Sequence, residues 1–185
     1  KLCWPQKTEN HVVLIGNFMD TNDSSSEEQS NLDAFFEMFD WVDEDVSELN
    51  SEEEIDVSGY ECLFIAFNNL RSYCKQIDLD FSQIEDQYLA SINPEQSDET
   101  FWDQDLDATY SEMDELAGFG KLLETIEKGF SEYEKFCEKS DEIFDEWHCV
   151  LIMHSFLRKY CDKLEIDYTL LQDDISALQS EMEEG

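Results

Sequence analysis

The chain has 185 residues, with 47 Asp or Glu against 11 Lys or Arg and a formal net charge of −36. That charge excludes recognition of nucleic acid and of anionic membrane surfaces, both of which need cations from the protein. Hydrophobic residues still make up 41% and aromatic residues 13%, too much apolar mass for a disordered acidic chain, so a packed core under an acidic surface is expected.

Residues 1–29 read as an irregular arm. They are polar and carry the Ser24–Ser26 run, apart from the strand-like Val12-Val13-Leu14-Ile15. The arm holds Cys3 and a glycosylation sequon, Asn22-Asp23-Ser24. The chain starts at Lys1 without an initiating Met, and its cysteines number six, an even count. Together these features read as a mature secreted, extracellular glycoprotein with disulfide bonds. No apolar run approaches the roughly 18 residues that span a bilayer, so no membrane insertion is expected.

Residues 30–94 read as a first helical repeat. Leu32, Phe35, Phe36, Phe39, Val42, Val46 and Leu49 recur at spacings of three and four, one apolar stripe of a helix. Trp41 lies off that stripe beside Asp43, Glu44 and Asp45, a candidate partner-binding surface of mixed aromatic and acidic character. A second long helix follows through CLFIAFNNLRSYCKQ, then a link at Asp78–Phe81. A third helix is expected over roughly 82–92, opened by the capping box Ser82–Glu85 and stopped by Asn93-Pro94.

Residues 95–116 read as an acidic connecting segment, partly helical. Trp102, Asp103, Asp105, Asp107 and Tyr110 form its candidate partner-binding surface. The acids around Tyr110 also suit tyrosine sulfation. Two acidic runs, Asp43–Glu54 and Asp103–Asp114, have calcium-loop offsets but lack the glycine at position six that turns such a loop. No metal ligand set is assigned.

Residues 117–185 read as a second helical repeat. Gly118-Phe119-Gly120-Lys121 is expected to break or bend its first helix, whose stripe is Leu122, Leu123, Ile126, Phe130, Tyr133 and Cys137. Then CVLIMHSFLRKYCDKLEIDYTLLQ, residues 149–172, repeats residues 62–85 at an offset of 87, sharing seven of 24 residues. The Cys62/Cys74 spacing returns as Cys149/Cys161. The only two arginines, Arg71 and Arg158, occupy equivalent positions, as do Asp80 and Asp167. Each arginine is expected to pair with a carboxylate, with Asp80 and Asp167 as the repeated candidates. Thr169–Gln172 repeats the capping box. The helices upstream, Leu32–Leu49 and about 117–136, match poorly at this offset.

The expected fold is therefore an all-α bundle of two related multi-helix repeats, stapled by disulfides among Cys3, Cys62, Cys74, Cys137, Cys149 and Cys161. Cys62 and Cys74 lie about 18 Å apart along one helix, too far to bridge each other, so the connectivity stays open. His148 and His154 have no catalytic or zinc-site spacing around them and read as structural. With no cofactor motif and no catalytic constellation, the chain reads as a non-enzymatic binding protein. Its field favours a cationic protein, peptide or amine. Two alternatives accompany that reading: a carrier of a small apolar ligand in a helical cavity, and an acidic calcium-associated structural protein.

Overall fold

Residues 31–51, 57–91 and 115–184 are described by a computed structural model, and their regular structure is entirely helical. There are six helices among them: α1 (Asn31–Ser51), α2 (Gly59–Gln76), α3 (Phe81–Ser91), α4 (Glu115–Ser140), α5 (Glu146–Lys163) and α6 (Tyr168–Glu184). The expected arm at 1–29 with Cys3 and Asn22, and most of the segment at 95–116, lie outside the described residues.

The helix ends follow from named residues. Ser58 opens α2 with a full capping box: its hydroxyl accepts from the Glu61 amide, and the Glu61 carboxylate accepts from the Ser58 amide at 2.9 Å. Asp145 opens α5, 87 residues on, by accepting from the His148 amide at 3.2 Å. Each of these helices is 18 residues long. Each ends in a left-handed acidic residue, Asp78 at φ 58° and Glu165 at φ 55°. The next amide then returns to a carbonyl one turn back, Leu79 to Cys74 at 2.8 Å and Ile166 to Cys161 at 2.9 Å. Asp141, at φ 59°, ends α4 in the same way.

Two expected boundaries are corrected. Helices α3 and α6 start two residues earlier than the Ser82 and Thr169 boxes imply, and the capping acceptors are Asp80 and Asp167. The Asp80 carboxylate takes the Ser82 amide at 3.0 Å, and Asp167 takes the Thr169 amide at 2.9 Å. The Gly118–Lys121 segment does not break its helix: α4 runs straight through it. Gly118 is there for room. A Cβ on it would meet the Tyr160 hydroxyl at 2.5 Å, where that hydroxyl donates to the Glu115 carbonyl at 3.2 Å.

Helices α2 and α5 pack on each other at the centre. Both α1 and α4 pack on that pair, α3 packs on α5 and α2, and α6 packs on α2. The core holds Phe35 and Phe119, Phe67, Leu70 and Leu157, Tyr73 and Tyr160, and Ile84 and Leu171, each fully or almost fully buried. Among the described residues no Asp, Glu, Lys or Arg is buried. The charged side chains of the described residues therefore lie outside the core, where water and counter-ions screen them. No described helix is long and apolar enough to cross a membrane.

The disulfide staple is corrected as well. Cys62, Cys74, Cys137, Cys149 and Cys161 are all buried free thiols. They sit as small apolar side chains on the core faces of α2, α4 and α5. Burial pushes Cys62, Cys74 and Cys161 up to about 12, so the thiolate that reacts or binds metal is suppressed.

Candidate functional site

The surface feature with the most chemistry is a groove of about 560 Å³ between α1 and α4. It arises from helical periodicity on both sides. On α1, Leu32, Phe36, Phe39, Asp40 and Asp43 recur three and four residues apart and share one strip. On α4, Leu123, Glu124, Glu127, Phe130 and Glu134 do the same. Phe144, just before α5, closes one end.

The floor is aromatic. Phe130 stands edge-on to Phe35 at 5.5 Å, to Phe36 at 5.8 Å and to Phe39 at 5.3 Å between ring centroids. Such T-shaped packing fixes each ring, so the floor is rigid before anything binds. Phe35 is wholly in the core, whereas Phe36 is half-buried and turns its remaining surface to the groove. Gly120 widens the upper end: a Cβ built there meets nothing within 4 Å.

The rims are acidic. Asp40 and Asp43 stand on one wall, Glu124, Glu127 and Glu134 on the other, and no Lys or Arg lines the groove. Lys121 reaches Glu124 from outside at 2.5 Å. No described Lys or Arg pairs with Asp40, Asp43, Glu127 or Glu134. A concave, low-dielectric floor between two negative walls focuses the field and raises the local concentration of cations.

Of the residues singled out in sequence, Asp43 lines the groove and Glu44 is exposed beside it. Trp41 is half-buried. Asp45 accepts from the Asn69 amide group at 3.2 Å, and partial burial, with Glu48 and Glu44 close by, raises its carboxyl above the ordinary range. Its role is to tie α1 to α2. Trp102, Asp103, Asp105, Asp107 and Tyr110 lie outside the described residues. Sequence reasoning placed Phe36, Phe39 and Phe130 in the apolar stripes. It missed that the edge of two neighbouring stripes would form a floor. The first calcium-like run starts inside α1, and its last member, Glu54, lies outside the described residues.

The expected Arg–carboxylate pairs are replaced by other contacts. Arg71 lies over the Phe81 ring at 5.7 Å and donates to the Gln172 side chain at 2.9 Å and to Ser176 at 3.0 Å. Arg158 lies over Tyr168 at 3.6 Å and Tyr88 at 5.6 Å. Asp80 and Asp167 are occupied as helix caps. The physical reason is position: each arginine stacks on the aromatic ring ten residues later, the first residue of the next helix. A smaller cleft of about 350 Å³ passes Arg71, Lys75, Asp78 and Asp80. Its charges are mixed, and Arg71 is already engaged.

One polar centre is fully buried. His154 is 1% exposed and is ringed by Phe67, Phe81, Tyr88 and Tyr168, whose ring centroids lie 5.4–6.2 Å from its own. Its Nε2 meets the Tyr168 hydroxyl at 3.3 Å, and that hydroxyl donates to Glu85 at 2.5 Å. Its Nδ1 has no partner. Burial first, and the Arg158 charge second, push the imidazole down to about 3, so it stays neutral. His148 instead bonds Asp145 at 2.6 Å and stacks near Tyr133, as part of the α5 cap. No protein-family model, curated protein or solved structure matches this chain.

Proposed function

We propose that the protein is a secreted, non-enzymatic binding protein that captures a cationic partner in the groove between α1 and α4. The observation that carries this reading is the lining itself: five carboxylates over a phenylalanine floor, without one Lys or Arg. Acids attract and orient a cation, while the rings cover its apolar part and add cation–π attraction of about 0.5–2 kcal/mol. The groove's acidity counts against the alternative of a carrier for a small apolar ligand, because burying a neutral ligand there would desolvate carboxylates without compensation. Glycosylation at Asn22 and secretion belong to this reading. Thiols kept protonated by burial are compatible with an oxidising compartment.

We also infer that the two halves are related repeats. Support comes from paired details at one offset of 87: the caps at Ser58 and Asp145, the helix ends at Asp78 and Glu165, and the arginine-on-ring contacts. Contacts between the halves are reciprocal. Phe67 meets its own counterpart His154 at 5.8 Å. Phe67 also meets Tyr168 at 5.2 Å, and His154 meets Phe81 at 5.4 Å, the same pair with halves exchanged. Reciprocity of this kind supports a pseudo-twofold relation between the halves.

The experiment is a titration of the full chain with a basic peptide across graded salt, repeated on Asp43→Lys and Glu127→Lys. Capture in the groove predicts binding that weakens with salt and drops at least about tenfold in either variant. Affinity indifferent to both salt and these substitutions would sink the reading.

A further inference from the structure

The walls of the groove are related to each other in a way that the offset of 87 hides. The Tyr73 hydroxyl donates to the Asn31 carbonyl at 2.6 Å, and the equivalent Tyr160 hydroxyl donates to the Glu115 carbonyl. These two bonds dock the first turns of α1 and α4 on the central helices in the same manner, and they set the correspondence between α1 and α4 at 84 residues. At that offset Phe35 matches Phe119, Met38 matches Leu122 and Val42 matches Ile126, all buried. The groove residues then pair wall to wall: Phe39 with Leu123, Asp40 with Glu124, Asp43 with Glu127. Each wall carries two carboxylates three residues apart, one helical turn, above an apolar residue.

We propose that the groove takes a dication with an unbranched apolar stem, an α,ω-diamine or linear polyamine, lying across the axis with one ammonium on each wall. This rests on the cation-capture reading and narrows it. A single ammonium screens one carboxylate pair and leaves the other facing the same apolar floor. Two ammoniums place one cation on each wall, and the methylene chain between them covers Phe39, Phe130 and Leu123. Lys121 already shows the contact: its alkylammonium rests on Glu124 at 2.5 Å. On that wall Glu127 and Glu134 remain for the ligand. Symmetry is broken at one place useful for access, since Gly120 stands where α1 has Phe36.

The test is calorimetric titration of the full chain at low salt with 1,5-diaminopentane, 1-aminopentane, spermine and a short oligolysine peptide. The expected result is diamine binding at least about tenfold tighter than monoamine binding. Asp43→Asn and Glu127→Gln should each bring the diamine down to the monoamine level. Gly120→Phe, on an exposed helical position, should block binding while the circular dichroism spectrum stays that of the parent. Equal affinity for monoamine and diamine, or loss on one wall only, overturns the dication proposal. Binding of oligolysine without any amine overturns it too and leaves cation capture standing. No heat with any cation overturns both.

Discussion

Phe67 and His154 occupy equivalent places on α2 and α5 and face each other across the centre of the molecule. So do Phe81 and Tyr168 at the starts of α3 and α6. At these two positions α2 and α3 place hydrocarbon rings, whereas α5 and α6 place an imidazole and a phenol that must be satisfied. The second pair manages this in part, through the chain from His154 to Tyr168 to Glu85, and leaves Nδ1 orphaned. The difference teaches that a buried site can be shaped by packing in one half and by hydrogen bonding in the other, without altering helix length or end geometry. It also marks His154 as a position where the fold tolerates a cost.

The sharpest way to break the comparison is to make both halves polar. Phe67→His would bury a second imidazole against the first, losing ring packing and adding unpartnered nitrogen. A loss of about 3 kcal/mol is expected in urea denaturation. Making both halves apolar, His154→Phe, should act the other way, and its effect depends on pH. The folded imidazole sits near 3, below the ordinary 6.5. Above pH 6.5 neither state is protonated, and the wild type carries no proton-linked penalty. As pH falls below 6.5 the unfolded chain takes up a proton that the folded chain refuses, so stability is lost. By pH 5 that loss is about 2 kcal/mol. The variant should therefore gain about 1 kcal/mol at pH 7.5 from removing the orphan nitrogen. It should gain about 2 kcal/mol more at pH 5. Parallel melting curves for the two proteins over that range would contradict this. Tyr168→Phe copies Phe81 and strips the hydroxyl from both His154 and Glu85. It should cost about 1–2 kcal/mol, unless His154→Phe is already present, when the cost should shrink. Smallest of all, Gly120→Ala removes a glycine from the interior of α4, and with open space before its Cβ it should add about 0.5–1 kcal/mol. A decrease in thermal midpoint would mean that the space is not free.

Much of the fold was legible because helices announce themselves through spacing. The stripe of Leu32–Val46 and the helices through residues 62–76 and 149–163 have counterparts in the structure. What stayed hidden depended on three-dimensional registration. The proposed likeness of α1 and α4 rests on an offset of 84, not 87. At 84 Phe35 falls opposite Phe119, whereas at 87 it falls opposite Leu122 and the aromatic match is lost. The arginine partners were missed for a similar reason. Charge counting favours carboxylates, but Asp80 and Asp167 are spent on helix amides, and the ring ten residues on lies nearer. For the candidate site, Asp43 was within reach of sequence reasoning. The phenylalanine floor was not, since a stripe does not say which of its edges meets a neighbour.

The five thiols among the described residues make the protein a reporter of its own opening. Cys62 and Cys149 stand near the starts of the two central helices, Cys74 and Cys161 near their ends, and all are sealed from solvent. An aromatic disulfide reagent can react with each only when its segment opens, so the labelling rate reads local opening free energy at matched points in both halves. A molecule whose halves open together would label each matched pair at one rate. A molecule whose His154 half is the looser would expose Cys149 and Cys161 first, timing from within what bulk melting averages away.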